Sequence, residues 1–87
     1  MDIFYKELDP KFNVIDIRDE YEYDIDHFYG AKNIPMNELL TNYKLYLNKN
    51  EIYYIYCSSG YRSKKTCNIL KVLGYNVINV KDGFKNK

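Results

Sequence analysis

Apolar residues fall in short blocks along the chain, and the spacing inside the blocks changes from one to the next. Phe12-Asn13-Val14-Ile15-Asp16-Ile17 is a β-branched run suited to a buried central strand. Asp19 follows as an N-cap, and Glu20-Tyr21-Glu22-Tyr23-Asp24-Ile25 reads as a short helix with its acids at the favoured end. Phe28 to Ala31 is a turn, and Asn33-Ile34-Pro35 is a very short strand stopped by proline. Apolar positions 36, 39, 40, 43 and 47 have helical spacing and predict a helix over Met36 to Leu47. After the polar turn 48–51, Ile52-Tyr53-Tyr54-Ile55-Tyr56 is a strand. A helix then runs from about Arg62 to Leu73, with Cys67, Leu70 and Leu73 on one face, Ile69 and Val72 beside it, and Gly74 as its stop. Val77 to Val80 is a last strand, and Asp82-Gly83 turns into a polar tail. Asp2 to Phe12 is mixed and reads as a short edge strand or an irregular lead-in.

Strands therefore alternate with helices, which predicts an α/β domain. The expected form is a small, mostly parallel five-stranded sheet with helices on both faces. Active sites of such sheets form beyond the carboxyl ends of the strands. Two strands end on residues with chemistry, Asp16-Ile17-Arg18 and Cys57, and these are expected to converge.

Composition narrows the classes. A chain of 87 residues is expected to form a single domain over 1–87. Net charge of +1 argues against a nucleic-acid partner. No apolar run approaches the roughly 20 residues of a membrane span, and the acid at position 2 is unlike a secretory leader, so the expected location is the cytoplasm. Two cysteines, Cys57 and Cys67, are too few and wrongly spaced for zinc, and a reducing compartment disfavours a structural disulfide between them.

The candidate chemistry lies in Cys57-Ser58-Ser59-Gly60-Tyr61-Arg62-Ser63, where a strand ends on a cysteine and turns through a glycine-containing loop into a helix. That arrangement sets a sulfur in a cup of backbone N–H groups at the positive end of a helix. Such a thiol should have a depressed pKa, helped by Arg62, Lys64 and Lys65. Cys67, mid-helix among leucines, reads instead as an inert core thiol. The chain has eleven lysines and two arginines, and one arginine follows each chemistry-bearing strand end. Arg18 and Arg62 therefore suit sites that need a planar fork for an anion, or else tie loops to carboxylates such as Asp19. Ser58, Ser59 and Ser63 can donate to an anion, although small residues also suit a tight loop and Ser63 also suits an ordinary helix cap. His27 reads as a structural hydrogen-bonding residue.

These residues resemble a known family. Val14-Ile15-Asp16-Ile17-Arg18, Glu20-Tyr21 and His27 to Pro35 are similar to the first signature of rhodanese-like domains. The Cys57–Ser63 loop, with Leu70 and Gly74-Tyr75, resembles their active-site loop and trailing helix, and Asp82-Gly83-Phe84 their closing segment. The chain departs at Asp26, where glycine is usual, and at Asp82, which replaces the first glycine of the closing pair. The resemblance implies the three-layer rhodanese-like fold and a sulfurtransferase without cofactor or metal. Cys57 would form a persulfide by taking a sulfane sulfur from thiosulfate or another small anionic donor, and would pass it to cyanide, a thiol or a protein acceptor. Arg62 would hold the donor's anionic group, and Arg18 would assist or shape the rim. Ser58, Ser59, Gly60, Tyr61 and Ser63 would line the substrate cup. The competing readings are a binding, sensor or sulfur-carrier module without turnover, and a cysteine phosphatase or arsenate reductase. The latter enzymes have five residues between cysteine and arginine; this loop has four, Ser58 to Tyr61, and makes a smaller cup.

Overall fold

In the computed structural model, which describes residues 1–85, five strands form one sheet. They are β1 (Asp2–Ile3), β2 (Asn13–Asp16), β3 (Lys32–Asn33), β4 (Ile52–Tyr56) and β5 (Asn76–Val80). Their spatial order is β1-β5-β4-β2-β3 and every pairing is parallel. Parallel strands need crossover connections, and these are supplied by α1 (Glu20–Ile25), α2 (Met36–Thr41), α3 (Tyr43–Tyr46) and α4 (Tyr61–Val72). The fold class expected from the alternation is the one observed.

Alternation along the strands divides the core. Ile15 and Ile17, Tyr53, Ile55 and Cys57, and Val77 face α2, α3 and α4 and pack with Leu39, Cys67 and Leu70. Val14, Tyr56 and Val80 face the other way, against Tyr5, Tyr23, Phe28 and Phe84. The strand tyrosines are thus sheet interior. Tyr56 is fully buried, and its hydroxyl accepts the Phe28 N–H at 3.0 Å, while Tyr54 stacks on Phe12 at 4.3 Å. Burial raises the Tyr56 pKa, so this phenol stays neutral.

Two local features differ from the sequence expectation, and the lead-in combines the two forms it allowed. The predicted helix over 36–47 breaks at Asn42, whose φ of −122° and ψ of 36° leave the helical range between α2 and α3. The break lets Leu39 and Leu47 both reach the core. The lead-in is both things at once, the two-residue β1 followed by a 3-10 turn over Tyr5–Glu7. On α4, Cys67 and Leu70 are buried as expected, but Val72 points outward with 88% of its surface exposed. The last two residues of the polar tail lie outside the described residues.

Candidate active site

Strands β2 and β4 are neighbours with Asp16 in register with Tyr56, and the pairing extends one step further through the Ile17 N–H on the Tyr56 carbonyl at 3.1 Å. The ends of the two chemistry-bearing strands therefore lie side by side at the carboxyl edge of the sheet. Cys57 leaves β4 there, and only 1% of it is exposed.

The loop returns onto the sulfur. Gly60 caps α4 with φ +95°, a left-handed conformation that L side chains rarely adopt. From that turn the Gly60 N–H points at Cys57 Sγ at 3.2 Å, and the Ser63 N–H at 3.3 Å. The Ser63 hydroxyl lies 3.5 Å from the same sulfur. Ser63 is therefore no ordinary cap: it sits inside the first turn of α4, fully buried, with both its polar groups on the sulfur. Burial is the largest influence on the Cys57 thiol and raises its pKa; the Ser63 hydroxyl and the amides of Ser63, Ser59 and Gly60 together outweigh it, so the pKa is lowered. The depression expected from the sequence is present, and the expected amide cup produces it together with the Ser63 hydroxyl. Cys67 shows the contrast: burial without such donors pushes its pKa up to about 12.

Removing one donor should be visible in the pH dependence. Ser63→Ala deletes the hydroxyl, keeps the amide, and leaves the helix N-terminus intact. The pH midpoint of Cys57 alkylation by iodoacetamide should move upward in this variant. An unchanged midpoint would show that the hydroxyl contributes nothing to the thiolate.

The two arginines have different surroundings. Arg62 is half-buried, and the salt bridges among the described residues do not include it. Arg18 is 6% exposed and its guanidinium is engaged: Nη2 reaches Asp16 Oδ2 at 2.7 Å and the Asp26 carbonyl at 2.7 Å, and Nε reaches Asp16 Oδ1 at 3.0 Å. Its carbon Cζ stacks 4.4 Å from the Phe84 ring centroid. Phe84 in turn donates its N–H to the Cys57 carbonyl at 2.8 Å. The structure brings Cys57, Ser59, Gly60 and Ser63 together. It sets Arg18 behind them, against Phe84, and leaves Ser58 and Ser59 exposed on the loop and Tyr61 exposed at the start of α4.

Sequence reasoning left three residues here without a role. Asp16 is the buried partner of Arg18, and an acid inside a β-branched strand two residues before an arginine was the available signal. Glu22 closes a capping box on the Asp19 N–H at 3.2 Å, and its other oxygen accepts the Ser58 hydroxyl at 3.4 Å, tying α1 to the loop. The Asp-x-x-Glu spacing announces that box. Asp82 is the third: its carboxylate accepts the Tyr5 N–H at 2.7 Å, which explains an acid where glycine was expected. At Asp26 the backbone is extended with φ −168°, a conformation open to any residue. His27 stacks on Tyr23 with centroids 3.6 Å apart, and its Nδ1 lies 2.7 Å from the Tyr23 carbonyl. That is the structural role expected of it.

A model of the rhodanese-like domain matches residues 1–86. The chain belongs to the rhodanese-like domain family. Among solved structures, the rhodanese-like domain protein of Staphylococcus aureus aligns with TM-score 0.77 at 36% identity, covering 88% of this chain and 74% of that one. A Staphylococcus saprophyticus protein, SSP1007, aligns with TM-score 0.78 at 39% identity over 83% of this chain and 71% of its own. Among curated relatives, the Escherichia coli thiosulfate sulfurtransferase PspE is 32% identical over 83% of this chain and 70% of its own length. The Bacillus subtilis protein YrkF, named as a sulfur carrier, is 35% identical over 90% of this chain. The rhodanese-like chain spans only 42% of that relative. No helix among the described residues is long and apolar enough to cross a membrane.

Proposed function

We infer that this rhodanese-like chain transfers sulfane sulfur through a persulfide on Cys57. One observation carries the reading: a buried cysteine at the carboxyl edge of the sheet whose sulfur receives the N–H groups of Gly60 and Ser63, with the Ser63 hydroxyl beside them. Donors aimed at a buried sulfur favour its anionic form, and they serve a thiolate and the terminal anion of a persulfide alike.

In the first half-reaction the Cys57 thiolate attacks the outer sulfur of thiosulfate. The S–S bond of the donor breaks and sulfite leaves with the electron pair. In the second, cyanide or a thiolate attacks the outer sulfur of the persulfide, takes it as thiocyanate or a new persulfide, and Cys57 departs as thiolate. Two displacements through one covalent intermediate predict ping-pong kinetics. Neither step needs a metal or an organic cofactor. Arg62 is the group that meets the anionic donor, because its guanidinium sits in the first turn of α4 without a carboxylate partner among the described residues. Arg18 supports the loop indirectly, through Phe84 and the Cys57 carbonyl.

Incubation with thiosulfate followed by intact-protein mass spectrometry tests the reading. One added sulfur atom on Cys57, discharged by cyanide, is the expected result. No adduct with thiosulfate, or with an organic persulfide as donor, would leave a binding module on the same fold. An adduct without turnover in the cyanide assay would favour a sulfur carrier, the function that the name of the Bacillus relative suggests.

The two arginines should separate by assay. Arg62→Ala should lower kcat/KM for thiosulfate, mainly through KM, with little change in stability. Arg18→Ala should destabilise the fold by about 3 kcal/mol, because removing one partner of a buried ion pair strands the other charge. Urea denaturation and steady-state kinetics on both variants check this, and equal kinetic losses at equal stability would overturn the assignment.

A further inference from the structure

Helix α4 carries apolar side chains on two faces, and the core uses one. Ser63, Thr66, Cys67 and Leu70 turn toward the sheet and are buried. Residues three and four apart share a helix face, so Tyr61, Lys65, Ile69 and Val72 form a stripe on the outside. Tyr61 is 69% exposed, Ile69 45% and Val72 88%. Single exposed apolar residues are ordinary, but three on one helix face, with Lys65 lying over the Tyr61 ring and the row starting beside the Cys57 loop, make a candidate interaction surface. From Tyr61 to Val72 it follows the axis for about 16 Å at the helical rise.

The charge on the same helix points the same way. Arg62, Lys64, Lys65 and Lys71 lie on α4, and no acid does. Three of these cations sit near the N-terminus, the positive end of the helix dipole, where they cost helix stability. Lys64 reaches Asp2 at 3.2 Å, and Lys65 lies 5.5 Å from the Tyr61 ring centroid. The salt bridges among the described residues leave Arg62, Lys65 and Lys71 without a carboxylate partner. A small anion at Cys57 could use Arg62, but it could not reach Lys71 or cover Val72. The occupant of the stripe is therefore macromolecular, acidic at its edge and apolar at its centre.

We propose that the outer face of α4 docks an acidic partner protein that covers Tyr61, Ile69 and Val72, meets Arg62, Lys65 and Lys71 with carboxylates, and presents a cysteine to the Cys57 persulfide. This rests on the sulfur-transfer function proposed above. The partner's thiol loses its proton to solvent, and the resulting thiolate attacks the outer sulfur. The persulfide S–S bond breaks, and Cys57 leaves with the electron pair as thiolate. The partner keeps the sulfur as its own persulfide.

Two fluorescein-labelled helical peptides test it, each with a leucine stripe and a terminal Gly-Gly-Cys, one flanked by glutamates and the other by lysines. Anisotropy titrations measure docking, and mass spectrometry measures sulfur passed from thiosulfate-loaded protein to each peptide thiol. The glutamate peptide should bind and accept sulfur at least about tenfold better at low salt, with the advantage shrinking as salt rises. The Lys65→Glu/Lys71→Glu variant and the Val72→Asp variant should each remove that advantage while transfer to dithiothreitol is unchanged. Equal behaviour of the two peptides, or an advantage untouched by both variants, would overturn the proposal. Sedimentation showing that the chain dimerises alone, and that Val72→Asp abolishes it, would assign the face to a second copy and also overturn it. Sulfur loading is scored separately, so glutamate-peptide docking by a chain that takes up no sulfur upholds the surface and rejects the sulfur-transfer function.

Discussion

Replacing Cys57 with serine should abolish sulfur transfer while leaving the domain folded. The loss in kcat/KM should be at least about a thousandfold, because a neutral hydroxyl held in a thiolate cup is a poor nucleophile toward sulfur and removing a covalent nucleophile costs at least this much. No adduct should form with any donor. Serine is smaller than cysteine and polar enough to accept the Gly60 and Ser63 N–H groups, so a failure to fold is not expected. The stability comparison carries its own signature. A group whose pKa is lowered on folding contributes stability above its unfolded value, about 8.5 for a thiol, and loses it as pH falls through the folded value. The wild type should therefore gain on Cys57→Ser as pH rises toward 9, and the gap should close on acidification. A gap that widened at low pH would contradict the thiolate assignment, whatever the activity of the variant.

Gly60→Ala should be severely damaging for a single added methyl group. A Cβ at this position would lie 2.1 Å from the Lys81 carbonyl oxygen, and the residue's φ of +95° is unfavourable to any side chain. Left-handed backbone alone costs about 1–2 kcal/mol, and a clash with backbone adds more because no rotamer can relieve it. A total near 4 kcal/mol should lower the melting temperature by on the order of 20 °C in a domain of this size. The variant should also lose thiolate character, since the Gly60 N–H then leaves the sulfur. Thermal denaturation and alkylation kinetics test both effects. A variant that melts within a few degrees of wild type would show that the segment after β5 can move away from the loop.

Much of the fold was readable because parallel strands buried on both faces are written as dense β-branched and aromatic runs, as in 12–17 and 52–56. The helix break at Asn42 was not readable, since the apolar spacing runs through it unbroken and tertiary packing decides the kink. The reactive cysteine was legible from its place between strand and helix. The amide cup around it was legible too; what the sequence did not single out is the buried Ser63 hydroxyl, the first of the groups that lower its pKa. Ser63 was left between an anion donor and an ordinary cap, because a serine near a helix start suits both. Arg18 was grouped with Arg62 on rarity and strand position, and only the fold shows Asp16 occupying its fork. The outer face of α4 was hidden for a different reason. Apolar residues on both sides of a helix blur its periodicity, so Ile69 and Val72 read as neighbours of the core face.

The closing segment bears on when the chemistry appears during synthesis and folding. Gly83 packs so tightly on the loop that a Cβ there would lie 2.3 Å from the Ser58 carbonyl oxygen, and Phe84 bonds to Cys57 itself. Asp82 ties this segment to Tyr5, and β1 pairs with Asn79 and Val80, so stretches far apart in the sequence meet beside the nucleophile. Contacts of such long sequence separation form late, because loop-closure entropy opposes them until the rest of the sheet exists. Docking of this segment therefore completes the support of the reactive loop only after the sheet has formed.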